Sequence, residues 1–67
     1  MKKKYVVIGN TYPEHNFEIG TTVEYVAHYL DGIFCVKGKL KYAGNESEND
    51  VEQDVHPRDL QEVINNE

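Results

Sequence analysis

The sequence predicts an all-β domain of five short antiparallel strands with a single 3₁₀ turn before the last. Three observations carry this. Apolar and polar residues alternate with period two in Thr21–Tyr29 and again in Gly32–Tyr42, the spacing of a half-buried strand. Asp31-Gly32 stands between those two runs, and Asp-Gly at such a junction is a strong hairpin signal. The other apolar runs, Tyr5–Ile8, Val51–Val55 and Gln61–Ile64, are short and contain β-branched residues.

The first strand, Tyr5–Ile8, is stopped by Gly9-Asn10. Residues 10–20, NTYPEHNFEIG, hold Pro13, two asparagines and Gly20 and are expected to form a long loop. Phe17 and Ile19 alternate with polar neighbours there, so the loop should fold back onto the core, with Phe17 inside it. In the second strand Val23, Tyr25, Ala27 and Tyr29 fall on the core face, and Thr22, Glu24, Val26 and His28 on the other. Asp31-Gly32 is then read as the centre of a type I′ turn, which needs positive φ at both positions.

In the third strand Phe34, Val36, Gly38, Leu40 and Tyr42 share the core face, opposite Ile33, Cys35, Lys37, Lys39 and Lys41. Gly38 in its middle signals a bulge or a sharp bend. Residues 43–50, AGNESEND, have no apolar residue after Ala43 and read as a mobile loop. The fourth strand is Val51–Val55. His56-Pro57-Arg58-Asp59-Leu60 suits one 3₁₀ turn, because proline is tolerated in a first turn. Gln61–Ile64 follows as the last strand, and Asn65–Glu67 should fray. A short helix over 57–65, with Leu60, Val63 and Ile64 as its apolar face, is the alternative for this end.

At 67 residues the chain is one domain. A domain of this size buries roughly 60% of its unfolded surface, which leaves little room for a deep cleft. The net charge of -5 argues against general attraction to phosphate backbones, which draws on lysine and arginine. Six of the seven bases fall in residues 1–42 and eight of the twelve acids in residues 43–67. That acidic part reads first as a soluble surface and second as a phosphate mimic. Cys35 is the single cysteine, so an internal disulfide is impossible and a reducing, cytoplasmic setting is expected. No apolar run approaches the roughly 20 residues of a membrane span, and Tyr5–Ile8 is shorter than a signal-peptide core of about 7–15 residues.

The segments YVVIGN, FEIGTTVEYV, the Asp31-Gly32 turn and VHPRDLQEV follow one another in an order that resembles the SH3-like small barrel, with its KOW- and Tudor-type relatives. The resemblance spans nearly the whole chain. It implies a five-stranded antiparallel barrel in which Val55, Leu60 and Val63 fill the places of the residues that close the fold. It also implies that the long loop borders a ligand groove, together with the tight turn and the one-turn helix. The sequence lacks the ALYDY segment and the tryptophan of SH3 domains that grip proline-rich peptides. Most of its aromatic residues lie on core faces, which leaves a Tudor-type cage without support. In length, acidity and the HNFEIGTTV segment the chain also resembles small acidic accessory proteins of bacteriophages.

No GxGxxG, P-loop or nucleophile-elbow motif is present, and no Cys-x-x-Cys pair. The histidines His15, His28 and His56 read as surface or capping residues, and Cys35 as a small packed hydrophobe. Neither catalysis, cofactor nor metal is expected. Lys37, Lys39 and Lys41 could track a single-stranded nucleic acid, but cross-strand pairing with Glu52 and Asp54 is the preferred reading. On that reading the loop acids Glu46, Glu48 and Asp50 stay unanswered and form the candidate mimic surface. The expected function is binding of a protein partner through Tyr12, His15, Asp31, His56 and Arg58, because exposed loop aromatics often anchor such contacts. The expected form of that function is modulation of a host enzyme.

Overall fold

A computed structural model describes residues 3–42 and 44–64 of the chain. Its strands are β1 (Lys4–Val7), β2 (Thr22–His28), β3 (Phe34–Gly38), β4 (Lys41–Tyr42), β5 (Asn45–Glu46), β6 (Val51–Val55) and β7 (Leu60–Glu62). A 3₁₀ turn, Pro57–Asp59, precedes β7. Five strands form one antiparallel sheet in the order β6-β3-β2-β1-β7, while β4 and β5 make a separate ribbon. The class, the five antiparallel strands and the turn before the last strand agree with the sequence-based expectation. The sheet is not closed: among the described residues β6 and β7 stand at its two edges and do not pair. The apolar face is covered instead by Phe17 from the long loop and by Leu40 beyond β3, both buried with Tyr5, Val7, Val23, Val36, Val55 and Leu60.

β2 departs from strict alternation in a way that matters later. Tyr25 pairs with Val36, but Ala27 pairs with Cys35, so Val26 is an extra residue in the ladder. Such a bulge reverses the facing of every residue after it. His28, opposite Phe34, therefore joins Tyr25 on the core side. Ala27 and Tyr29, expected in the core, are exposed, and Tyr29 instead reaches Asp54 beside the outward-facing Cys35.

The β2–β3 turn also differs from a type I′ hairpin. The Gly32 amide donates to the Tyr29 carbonyl at 2.9 Å, which centres the turn on Leu30-Asp31, and the Asp31 carboxylate accepts from the Ile33 amide at 3.0 Å. Gly32 follows with φ at +89°. A turn followed by one left-handed glycine is the next commonest hairpin solution, and it tolerates a residue such as Leu30 where type I′ demands positive φ.

The expected third strand is two strands. β3 ends at Gly38, where a Cβ would lie 2.8 Å from Val23 Cγ1 and 3.2 Å from the Thr22 carbonyl. Glycine there allows the chain to leave the sheet across the β2 backbone. Leu40 is buried beyond the break, while the Tyr42 side chain, expected on the core face, lies outside the described residues, as do Ala43 and Asn65–Glu67, the end expected to fray. Within the polar segment β5 pairs with β4, and Ser47 exchanges hydrogen bonds with Leu40 in both directions, at 2.7 and 3.0 Å.

At the C-terminal end the helix alternative is not adopted. His56 caps the 3₁₀ turn by accepting from the Arg58 amide, and Leu60, buried, opens β7 against β1. β7 ends at Glu62, and just beyond it the Val63 amide still donates to the Lys4 carbonyl of β1 at 2.9 Å, while the Val63 side chain is 41% exposed. Ile19 likewise stays 56% exposed, since the turn into Gly20 carries it away from Phe17.

Candidate functional site

The two ends of the sheet are built differently. At the C-terminal end of β1, residues 8–21 are tied to the 3₁₀ turn by polar groups that satisfy one another. Asp59 is 3% exposed, and its carboxylate accepts from the Thr11 amide at 3.0 Å and from the Thr11 hydroxyl at 3.0 and 3.2 Å. These bonds, led by the backbone one, hold the Asp59 carboxyl below the usual carboxylate range although burial opposes them. Arg58 reinforces the link, Nε donating to the Thr11 hydroxyl at 2.9 Å and Nη2 to the Tyr12 carbonyl at 3.1 Å. The Tyr12-Pro13 bond in this loop is cis.

His15, expected on the partner surface, is buried instead, at 4% exposed. Its Nδ1 accepts from the Phe17 amide at 3.1 Å, which places the proton on Nε2, 2.8 Å from the Gly9 carbonyl. Asn10 accepts from the His15 amide and donates to its carbonyl, each at 2.9 Å. His15 therefore shapes the loop that seats Phe17 in the core. Of the other four residues, Tyr12 is 76% exposed and lies beside Arg58, and His56 joins them through its bond to the Arg58 amide. Asp31 makes no hydrogen bond to them; it occupies the β2–β3 turn, where it accepts from the Ile33 amide.

The charged hairpin neutralises itself, with partners other than those expected. Lys37 stands opposite Glu52 in register, yet its ammonium lies 3.5 Å from Glu24 on the other neighbouring strand. Asp54 accepts instead from the Tyr29 hydroxyl at 3.1 Å. Of the loop acids, Asp50 is answered by a lysine. Lys39 lies 3.6 Å from Asp50 and donates to the Glu48 carbonyl at 2.6 Å, and Lys41 faces Glu46 in register. On the same outer face the Cys35 thiol is pushed up by burial, and the Glu52 and Asp54 charges add to this. The hydrogen bond to Asp54 holds the Tyr29 phenol up at about 12. A thiol kept protonated among acids is a poor nucleophile. Among the described residues no group of three or more His, Cys, Asp or Glu is placed to hold a metal ion, and no helix is long and apolar enough to cross a membrane.

At the opposite end, where β1 begins and β2 meets β3, the β2 bulge assembles an aromatic cluster. Phe34 packs edge-on against Tyr5, with centroids 5.8 Å apart, and against Tyr25, at 5.5 Å. His28 tilts against both Tyr25 and Phe34, and its Nδ1 is hydrogen-bonded to the Tyr25 hydroxyl. These four rings and Lys3 line an open groove of about 360 Å³. Edge-to-face contacts of this kind contribute about 0.5–1.5 kcal/mol each beyond area burial, so the rings are held in place while the groove stays open. Alternation alone sends His28 to the outer face, and no glycine in Thr22–His28 announces the bulge. The one signal available was composition: Tyr25, His28 and Phe34 flank the same hairpin.

No protein-family model matches this chain, no curated protein matches it, and no solved structure matches it.

Proposed function

We propose that this chain is a non-enzymatic protein-binding module of the SH3-like kind, and that it docks a side chain of its partner in the groove lined by Tyr5, Tyr25, His28 and Phe34. The observation that supports this reading is the open aromatic cluster itself. Aromatic residues are the usual anchors of protein interfaces, and a concave, largely apolar site with a few polar groups is where ligands dock. Small size, acidity and the absence of a catalytic motif fit an accessory protein acting in the cytoplasm of a bacterial or phage-infected cell, where it would modulate a host enzyme.

A second surface, Tyr12 with His56 and Arg58, has one observation in its favour: an exposed tyrosine on a loop already ordered by Asp59. The other readings draw less support. A phosphate mimic built on Glu46, Glu48 and Asp50 has Lys39 in its midst, and a nucleic-acid track on Lys37, Lys39 and Lys41 is occupied by Glu24 and Asp50.

Affinity capture from bacterial lysate separates the two surfaces. Wild-type protein, His28→Ala, Tyr25→Leu and Tyr12→Ala are compared as baits after circular dichroism has shown each to be folded. The groove reading expects a reproducible partner that Tyr12→Ala retains and both groove variants lose. A partner lost only with Tyr12→Ala moves the site to the loop, and a wild-type bait without a reproducible partner contradicts the binding function.

A further inference from the structure

The groove has a charge as well as a shape, and this deepens the binding reading on which it rests. Among the described residues Lys3 is the one lysine, arginine or acid that lines the groove. Its side chain faces the same side as Tyr5, two residues on in β1, and the Lys3 carbonyl accepts from the Tyr25 amide at 2.9 Å, which fixes the backbone beside the rings. The Lys3 side chain is 63% exposed and its ammonium reaches Glu62 only at 4.0 Å, an exposed pair of small energetic weight. The other lysines of known partner are held more closely, Lys37 by Glu24 and Lys39 by Asp50 and Glu48. An acidic chain thus places a weakly engaged cation at the wall of its aromatic groove.

We infer that the groove takes an aromatic side chain with a carboxylate beside it, as in a partner segment where an aromatic residue adjoins an acidic one or ends the chain. The ring would pack against Tyr5, Tyr25 and Phe34, and the carboxylate would displace Glu62 from Lys3. A cationic guest meets the Lys3 ammonium and is disfavoured. The open face of the groove suits a side chain presented from a peptide, since an enclosed cavity would exclude the backbone that carries it. The Tyr25–His28 hydrogen bond fixes one wall, so little ordering is needed on binding.

Three probes of nearly equal shape test this: N-acetyltryptophan (anionic), N-acetyltryptophanamide (neutral) and tryptophanamide (cationic). Each is titrated into the protein at low salt, where screening is weak, while the ring signals of Tyr25, His28 and Phe34 are followed by NMR. The anion is expected to bind about two- to five-fold tighter than the neutral probe, the size of an exposed charge pair, with the cation weakest. Lys3→Glu, at an exposed position, should reverse that order without altering the fold. Equal affinities for all three probes, or an unchanged order in Lys3→Glu, overturn the carboxylate inference while leaving the groove as a binding site. No shift of the groove rings with any probe overturns the groove reading as well.

Discussion

The loop end and the groove end of this sheet use similar residue types to opposite effect. At the loop end His15 and Asp59 are buried with their polar atoms bonded, while Thr11 and Arg58 close over Asp59 from the exposed side. At the groove end three aromatic rings, a histidine and a lysine meet and leave a face open. In the first, Asp59 and His15 have their polar atoms bonded within the chain, and Arg58 is tied by two of its nitrogens. In the second, the rings are braced by one another and by a single hydrogen bond. Chemically rich residues on a long loop can thus be architecture, and a plain-looking strand can carry the site.

The comparison makes its largest prediction at Asp59. Asp59→Ala removes the buried carboxylate that accepts from the Thr11 amide and hydroxyl and sits next to Arg58, which should cost about 2–3 kcal/mol. In so small a domain that is a large share of total stability, and a urea titration would show it as a lower midpoint. An unchanged midpoint would mean that the loop end is not locked as described. Gly38→Ala tests the core beneath it, since the new methyl must displace Val23 or the Thr22 carbonyl; overpacking of this kind costs about 1–3 kcal/mol.

The pH dependence follows from the same carboxylate. The folded-state value of Asp59 is lowered, so its stabilisation is present above the unfolded value of about 3.9 and is lost as pH falls through the folded value. Stability should therefore fall on acidification below about pH 4, and this part of the fall should vanish in Asp59→Asn. Urea midpoints from pH 6 down to 2 would measure it.

At the groove end the expected effects on stability are smaller. Tyr25→Leu keeps an apolar side chain against Phe34 and loses the edge-to-face contact and the bond to His28, for a cost of about 1 kcal/mol. If it destabilised the domain as much as Asp59→Ala, the groove would be part of the core rather than a surface. The smallest effect is spectroscopic. Asp54→Asn removes the charge that holds Tyr29 at about 12, so one tyrosine should titrate closer to the ordinary 10 in an absorbance titration.

Which parts of this were legible in the sequence follows from the range of each signal. Alternation and the β-branched runs are local, and they placed the five strands, the 3₁₀ turn and most of the buried residues, Phe17 among them. The bulge at Val26 arises from pairing between β2 and β3, and nothing within β2 encodes it. Its effect was a reversal, bringing His28 to the aromatic side and sending Tyr29 to Asp54. The mutual bonds of Thr11, Arg58 and Asp59 join residues 47 and 48 positions apart, so their types could be read but not their pairing. Lys37 and Lys39 answer acids, but not the expected Glu52 and Asp54. Their partners proved to be Glu24 and Asp50, because a central strand has two neighbours and the chain turns out of the sheet at Gly38.

The most direct test is NMR mapping of a captured partner on the ¹⁵N-labelled domain. The account predicts that the largest amide shifts fall at Tyr5, Tyr25, His28 and Phe34, with Thr11, Tyr12 and 56–59 nearly unmoved. Shifts concentrated at Tyr12, His56 and Arg58, with the groove silent, would contradict it.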